Sequence, residues 1–451
     1  MRDSVRARRG HRSTWLIVAI LACAVLADRA VVIVSSGGRG VLALVVIVAP
    51  LLAAVAIARQ GFGRTFAFAS HPAFAFGVLP YLVLTALLPV LGVMLTGYPE
   101  RTLLAITAAT TALSFMVLGA ALSLSDGESS EPDRHPWSPW LLIAIAAQLL
   151  YAAGQAIYLS RGPGWQLFLP FHAWDRSVGG ALGQLVEARS LGLYINPNEL
   201  GLWAGVAAIM AWTMLPARLR GLGVAMAVLT LLLSQSRGAG VALLAVLVVG
   251  VALTLARGRL SAPGALKAIV SLAVAGGLAI GLALTLAPKN ALVQRFGALI
   301  QVAVQGPRAD PNLAGRLDYW SAVTALNRIY PLGTLGPPEL LLGSAVDSTW
   351  FRAFSQGSIP YAASLALMLG VSLLVGDQRY RLTLRLMTVM IAVAGLTMDP
   401  FGYPVIYLYW VLLGAALQSE VTARLSVRRP WGRRRGVGLV SPAGSVNAAR
   451  R

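Results

Sequence analysis

Charged residues and cysteine are scarce in this chain. Only 12% of its 451 residues are charged and 57% are hydrophobic, and the hydrophobic residues recur as separate apolar blocks. This pattern is not that of a soluble protein core, so the class of soluble globular proteins is excluded. Cys23 is the single cysteine, which excludes an internal disulfide and a thiolate metal cluster. Because it lies within the first apolar block, we expect Cys23 to be a small buried hydrophobe.

The positive charges are distributed in a way that argues against nucleic-acid binding. The formal net charge is +20, but the arginines and lysines lie in short segments between the apolar blocks and in the two tails. Basic residues in such positions set the topology of a membrane protein and contact anionic lipid headgroups. We therefore expect membrane lipids as partners and no nucleic acid.

The apolar blocks predict an all-α, polytopic integral membrane protein with about twelve transmembrane helices. The spans are predicted near residues 15–34, 41–58, 72–96, 102–124, 139–159, 198–215, 221–235, 238–256, 266–287, 358–375, 382–398 and 403–418. The seventh and eighth spans are short and nearly continuous through residues 234–240. They form either a tight hairpin or broken helices that line a polar cavity.

Arginine placement predicts a multi-pass protein of the cell membrane with both termini in the cytoplasm. Basic clusters precede the first span, follow the last span, and occupy the short segments near residues 59–64, 218–220, 257–267 and 379–385. All of them lie inside when the chain has twelve spans. We expect the first span to stay uncleaved, because Asp28 and Arg29 interrupt its end and no cleavage pattern follows.

Two outer loops are too long to be simple connectors. The predicted division is N-terminal transmembrane helices 1–160, outer loop 161–197, central transmembrane helices 198–287, large extracytoplasmic loop 288–357, C-terminal transmembrane helices 358–418, and a basic cytoplasmic tail 419–451. The large loop, between the ninth and tenth helices, mixes aromatic residues with charges and turn formers. It therefore favours a partly helical subdomain on the outer leaflet, whereas the tail is expected to be disordered and to bind headgroups.

Three separated polar fragments fall on the outer face under this topology. They are NPNELG at 196–201, SQSRGA at 234–239, and GRLDYW at 315–320 with VDSTW at 346–350. In the first, Asn196, Pro197 and Glu199 have the order of a capped helix start. A helix N-terminus offers unpaired N–H groups and a favourable dipole to an anion, although a cap that serves only the helix is an alternative.

Two arginines in these fragments are candidates for anion binding. Arg237 lies between two spans among small residues, and an arginine at mid-membrane costs about 2.5 to 3.5 kcal/mol unless it faces water or a partner. It therefore faces a cavity or, alternatively, snorkels to headgroups. Arg316 is followed by Asp318 and Trp320, so this fragment offers a planar donor fork for phosphate and an aromatic surface for sugar rings. A solvated loop charge is the alternative for Arg316.

The ordered fragments resemble the bacterial O-antigen ligase and O-antigen polymerase superfamily. The resemblance rests on NPNELG at a helix start, SRGAG between two spans, GRLDYW opening a long outer loop, and LLGSAVDSTWFRAFSQGSIPYAA entering the next span, and it covers roughly residues 190–375. It implies a multi-span enzyme that joins glycans carried on undecaprenyl diphosphate at the extracytoplasmic side, without nucleotide sugars. Arg237 then matches the arginine of the SRG-type motif and Arg316 the arginine of the GR-x-x-x-W-like motif, both holding the diphosphate.

The remaining substrate contacts and the base have candidates of their own. Asn196, Asn198 and Trp320 join the two arginines as substrate-binding candidates. Ligases of the family carry a histidine where this chain has Asp347, which favours a polymerase or another glycan transferase over a lipopolysaccharide ligase. Asp347 is the first candidate for the general base and Glu199 the second. His172, the only histidine expected outside, leaves a histidine-based site open.

The expected reaction is metal-independent transfer of glycan from a lipid-diphosphate donor to a glycan or lipid-linked acceptor. Two arginines neutralise the leaving group, so no cofactor is required. By the resemblance alone, we expect inversion at the anomeric carbon. The alternative function is a lipid-linked glycan flippase or another membrane transporter, which also uses many helices and buried cations. Polar residues clustered at one surface and no evident internal repeat argue against that alternative.

Overall fold

The computed structural model describes residues 14–25, 31–33, 41–43, 45–96, 100–126, 137–161, 189–194, 196–256, 297, 301–302, 304–335, 347–376 and 380–427. We label its longer helices α1 Thr14–Val25, α2 Val45–Gln60, α3 Leu79–Thr96, α4 Glu100–Asp126, α5 Ser138–Arg161, α6 Pro197–Met214, α7 Ala217–Ser234, α8 Arg237–Ala256, α9 Pro311–Ile329, α10 Thr349–Leu374, α11 Arg381–Ala394 and α12 Ile406–Val427. Shorter turns are Phe62–Thr65, Ala67–Ser70, the π-helical Phe74–Val78 that continues into α3, Pro307–Ala309 and Pro400–Gly402.

The predicted helical architecture is confirmed, and six of the described helices are long and apolar enough to cross a membrane. These segments are Phe74–Gly92, Ile106–Ser125, Ser138–Ile157, Ala217–Ser234, Arg237–Ala256 and Thr349–Leu374. Helices also lie at the predicted first, second, sixth, eleventh and twelfth spans. The predicted ninth span at 266–287, His172, and the tail beyond residue 427 lie outside the described residues. The count of twelve spans stays a prediction.

The first predicted span was wrong at its C-terminal end. Helix α1 ends at Val25, and Val31–Ile33 forms a short strand (β1) that pairs antiparallel with Val41–Ala43 (β2). The reason is local. β-Branched residues favour strand geometry, and Val31, Val32 and Ile33 are all β-branched.

Helices α4 and α12 pack with their backbones in contact. A methyl group added at Gly119 would collide with the Val411 carbonyl, and one added at Gly414 would collide with the Met116 carbonyl. Small residues at a helix crossing allow this close approach, which is the usual way in which membrane helices gain packing energy. The α4–α12 pair is therefore a tightly packed centre of one half of the bundle.

Helix α6 is the central helix of the other half and is buried along nearly its whole length. It packs against α5, α7, α8 and α11. Gly201 of α6 faces Ser236 in the turn before α8, and Gly205 faces Met390 of α11. Because of this position, the start of α6 and its NPNELG motif lie inside the bundle rather than at its edge.

Helix α10 is kinked at Gly357 and Ser358, which have non-helical backbone angles. Pro360 has no N–H to donate to the Gln356 carbonyl, so the helical ladder is interrupted there. The freed carbonyls of Ser355 and Gln356 accept from the backbone N–H groups of residues 334 and 335, at 2.8 and 2.9 Å. The kink therefore separates the first two turns of α10, which pack on the loop, from the apolar part.

The two ends of α12 contact different parts of the chain. At its C-terminal end, the Gln418 side chain accepts from Phe68 N at 3.0 Å and donates to Arg64 O at 3.1 Å. Glu420 accepts from Gly376 N at 2.6 Å and bonds His71 at 2.9 Å. The arginine-containing segments near 59–64 and 379–385 thus meet at this end, and the α11–α12 turn lies at the other.

Candidate functional site

The α11–α12 turn, defined as residues 395–405, anchors the start of α10. Ser348 caps α10 and donates its hydroxyl to Gly395 O at 2.9 Å. Thr349 N donates to Met398 O at 3.2 Å, and Trp350 Nε1 donates to Ala392 O at 2.9 Å. The VDSTW motif, predicted to belong to the outer site, is therefore fixed against this turn by side chains and backbone together.

Arg316 connects α9 to the same turn. Its Nη1 donates to Thr397 O at 2.8 Å, and its Nη2 lies 3.3 Å from Asp347 Oδ2. The Asp347 side chain is 57% exposed and that of Arg316 is 30% exposed. Arg316, which is predicted to bind the diphosphate, and Asp347, the first candidate for the base, are therefore neighbours, and both are accessible to solvent.

Arg237 forms an ion pair with Asp310, which sequence reasoning missed. Asp310 is buried, its backbone carbonyl accepts from Ala314 N at 2.8 Å, and its carboxylate accepts from Leu313 N at 3.3 Å, so it caps α9. Only Nη1 of Arg237 is engaged within the part of the chain that the structure describes. The next residue, Gly238, packs so closely on Thr397 that an added methyl group would collide with the threonine hydroxyl.

The start of α6 is held by its own asparagines. Asn196 accepts from Asn198 N at 2.9 Å, as the predicted cap requires. The Asn198 side-chain oxygen accepts from Ser236 Oγ at 3.1 Å and from Arg189 Nη2 at 3.0 Å. These contacts join the NPNELG and SRG motifs to each other, and substrate binding by the two asparagines stays a prediction.

Tyr403 lies in the α11–α12 turn. Burial raises the pKa of its phenol, and the negative charges of Glu199, Asp399 and Asp347 raise it further. Glu199 is 6% exposed, against 57% for the Asp347 side chain. Of the two predicted base candidates, Asp347 is therefore the one that a bulky acceptor can reach.

Trp320 stacks on Phe351, with ring centroids 4.7 Å apart and planes 12° apart. Asn327 Nδ2, further along α9, donates to Phe354 O at 2.8 Å. Helix α9 therefore lies along the first turns of α10. Residues 311–329 of the predicted large loop are helical, and Trp320 is partly buried.

A second polar group lies on the other side of the α11–α12 turn and was also missed. Arg352 forms an ion pair with Asp399, and Thr349 Oγ1 donates to Asp399 Oδ1 at 2.7 Å. This group lines a cavity of about 720 Å³ between α3, α4, α10 and α12. In the sequence, this group was marked only by Asp399 and Pro400 at the end of a predicted span. An aspartate before a proline is equally typical of an ordinary helix start.

Within the described residues, no group of three or more histidine, cysteine, aspartate or glutamate side chains is arranged to hold a metal ion. The chain matches no protein-family model, and no curated protein is significantly similar to it. The function of the protein is therefore inferred from the motifs and from the geometry in which they meet.

Proposed function

We propose that this protein is a membrane glycosyltransferase similar to O-antigen ligases and polymerases, which polymerises or ligates undecaprenyl-diphosphate-linked glycan at the extracytoplasmic face. The observation that carries the proposal is the convergence of three separated motifs on the α11–α12 turn. Arg316 bonds the Thr397 carbonyl, and Gly238 packs against the Thr397 side chain. The third motif joins them through Asn198, whose side-chain oxygen accepts from Ser236 Oγ at 3.1 Å, next to Arg237. Such convergence of polar groups is typical of an active site.

Arg237 and Arg316 bind the diphosphate of the donor. A guanidinium has five N–H donors, and the contacts described above use one nitrogen of Arg237 and two of Arg316. The remaining donors of each planar guanidinium can pair with phosphate oxygens. As the bond between the anomeric carbon and the diphosphate oxygen breaks, the charge that develops on the leaving group is stabilised by these fixed cations.

Asp347 acts as the general base. It lies beside Arg316 and is largely exposed, so an acceptor hydroxyl can approach it while the donor diphosphate is bound. The acceptor oxygen forms the new bond to the anomeric carbon, and its proton passes to the Asp347 carboxylate. Glu199, buried in the same cluster, is the second candidate, and His172 stays a further candidate. Attack opposite the leaving group inverts the anomeric carbon.

The proposed topology has twelve spans with both termini in the cytoplasm. It is supported by the separation of the two ends of α12, since the arginine-rich segments meet near Glu420 and the candidate site lies around Thr397. By the positive-inside rule, the arginine-rich end is cytoplasmic and the site faces outward. A donor that has already crossed the bilayer would reach it directly.

The test is reconstitution of the purified full chain in liposomes with an undecaprenyl-diphosphate oligosaccharide. We expect longer or transferred glycan together with free undecaprenyl diphosphate, and we expect both to persist in excess EDTA. A flippase or other transporter would instead move the intact donor between leaflets. If the donor changes leaflet and no undecaprenyl diphosphate is ever released, the glycosyltransferase assignment is wrong.

A further inference from the structure

The cavity of about 720 Å³ beside the α11–α12 turn has the size of a small-molecule site. Its walls come from α3 and α4, both candidate membrane spans, and from the beginnings of α10 and α12. Thr349 and Asp399 line its polar end. Since Asp347 precedes Thr349 by two residues, this end is next to the proposed transfer site.

The cavity walls combine aromatic faces with hydroxyl groups. Tyr81 packs against Tyr361 with ring centroids 5.7 Å apart and against Phe401 at 5.5 Å. Tyr361 OH lies 3.0 Å from the hydroxyl of Thr85, which also lines the cavity. Aromatic faces suit the C–H face of a sugar ring, and hydroxyls pair with sugar hydroxyls. A polyprenyl chain would leave these polar atoms desolvated, which is costly.

Thr111 gives an independent sign of a ligand. Thr111 lines the cavity and is 3% exposed, and its buried hydroxyl has no hydrogen-bond partner within the described structure. Buried hydroxyls are nearly always hydrogen-bonded, so an exception needs an explanation. Its neighbour Thr110, in contrast, donates to Ile106 O at 2.7 Å.

We infer that this cavity binds the saccharide head of a membrane-anchored acceptor, with Thr111 as one of its hydrogen-bond partners. The inference rests on the proposed function and assigns its second substrate to a site distinct from the arginine pair. The Arg352–Asp399 pair forms the polar end, where the sugar nearest the transfer site is held. The flanking apolar spans keep the acceptor's lipid portion within the bilayer.

The test is photo-cross-linking of the full chain in lipid nanodiscs with decyl glycosides that carry a diazirine on the sugar. We expect labelled peptides from α3, α4 and α10. Thr111→Val should reduce labelling about fivefold, the size of one neutral hydrogen bond, without removing any contact inside the protein. Thr110→Val is the matched control on the same helix and should label like wild type. Ala112→Phe, which places a phenyl ring in the cavity, should reduce labelling more than tenfold.

Two results would overturn the inference. One is undiminished labelling in both Ala112→Phe and Thr111→Val. The other is labelling of these peptides by a diazirine-bearing undecaprenyl phosphate in preference to the glycosides, which would give the cavity to the donor chain. Cross-linking needs no turnover, whereas the proposed function is judged by release of undecaprenyl diphosphate from wild type. Failure of the acceptor site is therefore distinguishable from failure of the proposed function.

Discussion

Replacing Arg316 separates a structural role from a catalytic one. In the fold, its ion pair with Asp347 is largely solvated and contributes about 0 to 1 kcal/mol. Its hydrogen bond to Thr397 O adds about 1.5 to 3 kcal/mol at most. Arg316→Ala should therefore lower the free energy of unfolding by about 1.5 to 4 kcal/mol. In the transition state, losing a preorganised cation at the leaving group costs about 3 to 4 kcal/mol, or roughly a hundredfold to a thousandfold in rate.

The assay measures release of undecaprenyl diphosphate in liposomes and thermal unfolding of the same preparations. Arg316→Lys should restore stability better than rate, because a point charge does not reproduce the two-pronged donor. Arg308→Ala is the matched control, since Arg308 also pairs with an aspartate at 3.7 Å but its side chain is 82% exposed. Arg308→Ala should leave both the rate of undecaprenyl diphosphate release and the thermal unfolding unchanged. If well-folded Arg316→Ala transfers glycan within about threefold of wild type, Arg316 does not hold the diphosphate.

Three further predictions concern packing, topology and the base. Gly414→Ala should lower the melting temperature, because overpacking against the Met116 carbonyl costs about 1 to 3 kcal/mol. Its control is Gly370→Ala, at a glycine with open space, and equal melting of the two would contradict the packing argument. The topology is tested in a Cys23→Ser background with an impermeant thiol reagent added outside intact cells. A cysteine that replaces exposed Ser321 should react, and one that replaces exposed Ser70 should not. Equal labelling of the two positions would overturn the topology. Asp347→Asn should lower transfer about a hundredfold or more while donor binding is kept, because an amide cannot take the proton. Full activity would move the search to Glu199 or His172.

The positions of most helices were predictable because apolar run length determines them directly. The cap at Asn196 and the break before Arg237 were equally local, and both are observed. The kink in α10 shows the limit of this reasoning. Hydropathy placed the start of a span at residue 358, but the helix begins at Thr349 because Ser348 caps it.

The partners of the site residues were not predictable from local sequence. Asp310 lies 73 residues from Arg237, and Asp399 lies 47 residues from Arg352. Nothing in the neighbourhood of either aspartate distinguishes a buried ion-pair partner from an ordinary helix cap. Thr397 contacts Gly238 through its side chain and accepts from Arg316 through its backbone carbonyl. Because every residue type has a backbone carbonyl, the contact with Arg316 left no mark in the sequence.

The kink in α10 should allow the candidate site to keep its geometry when the thickness of the bilayer changes. A membrane span adjusts to lipid thickness by tilting, at a modest energetic cost. Here the apolar part of α10 begins beyond the kink at Ser358. The turns before the kink are tied to the α11–α12 turn through Ser348 and Thr349, and to the end of α11 through Trp350. The spacing between Asp347 and Arg316 should therefore stay constant in membranes of different thickness, so that the candidate site keeps its geometry when the lipid composition changes.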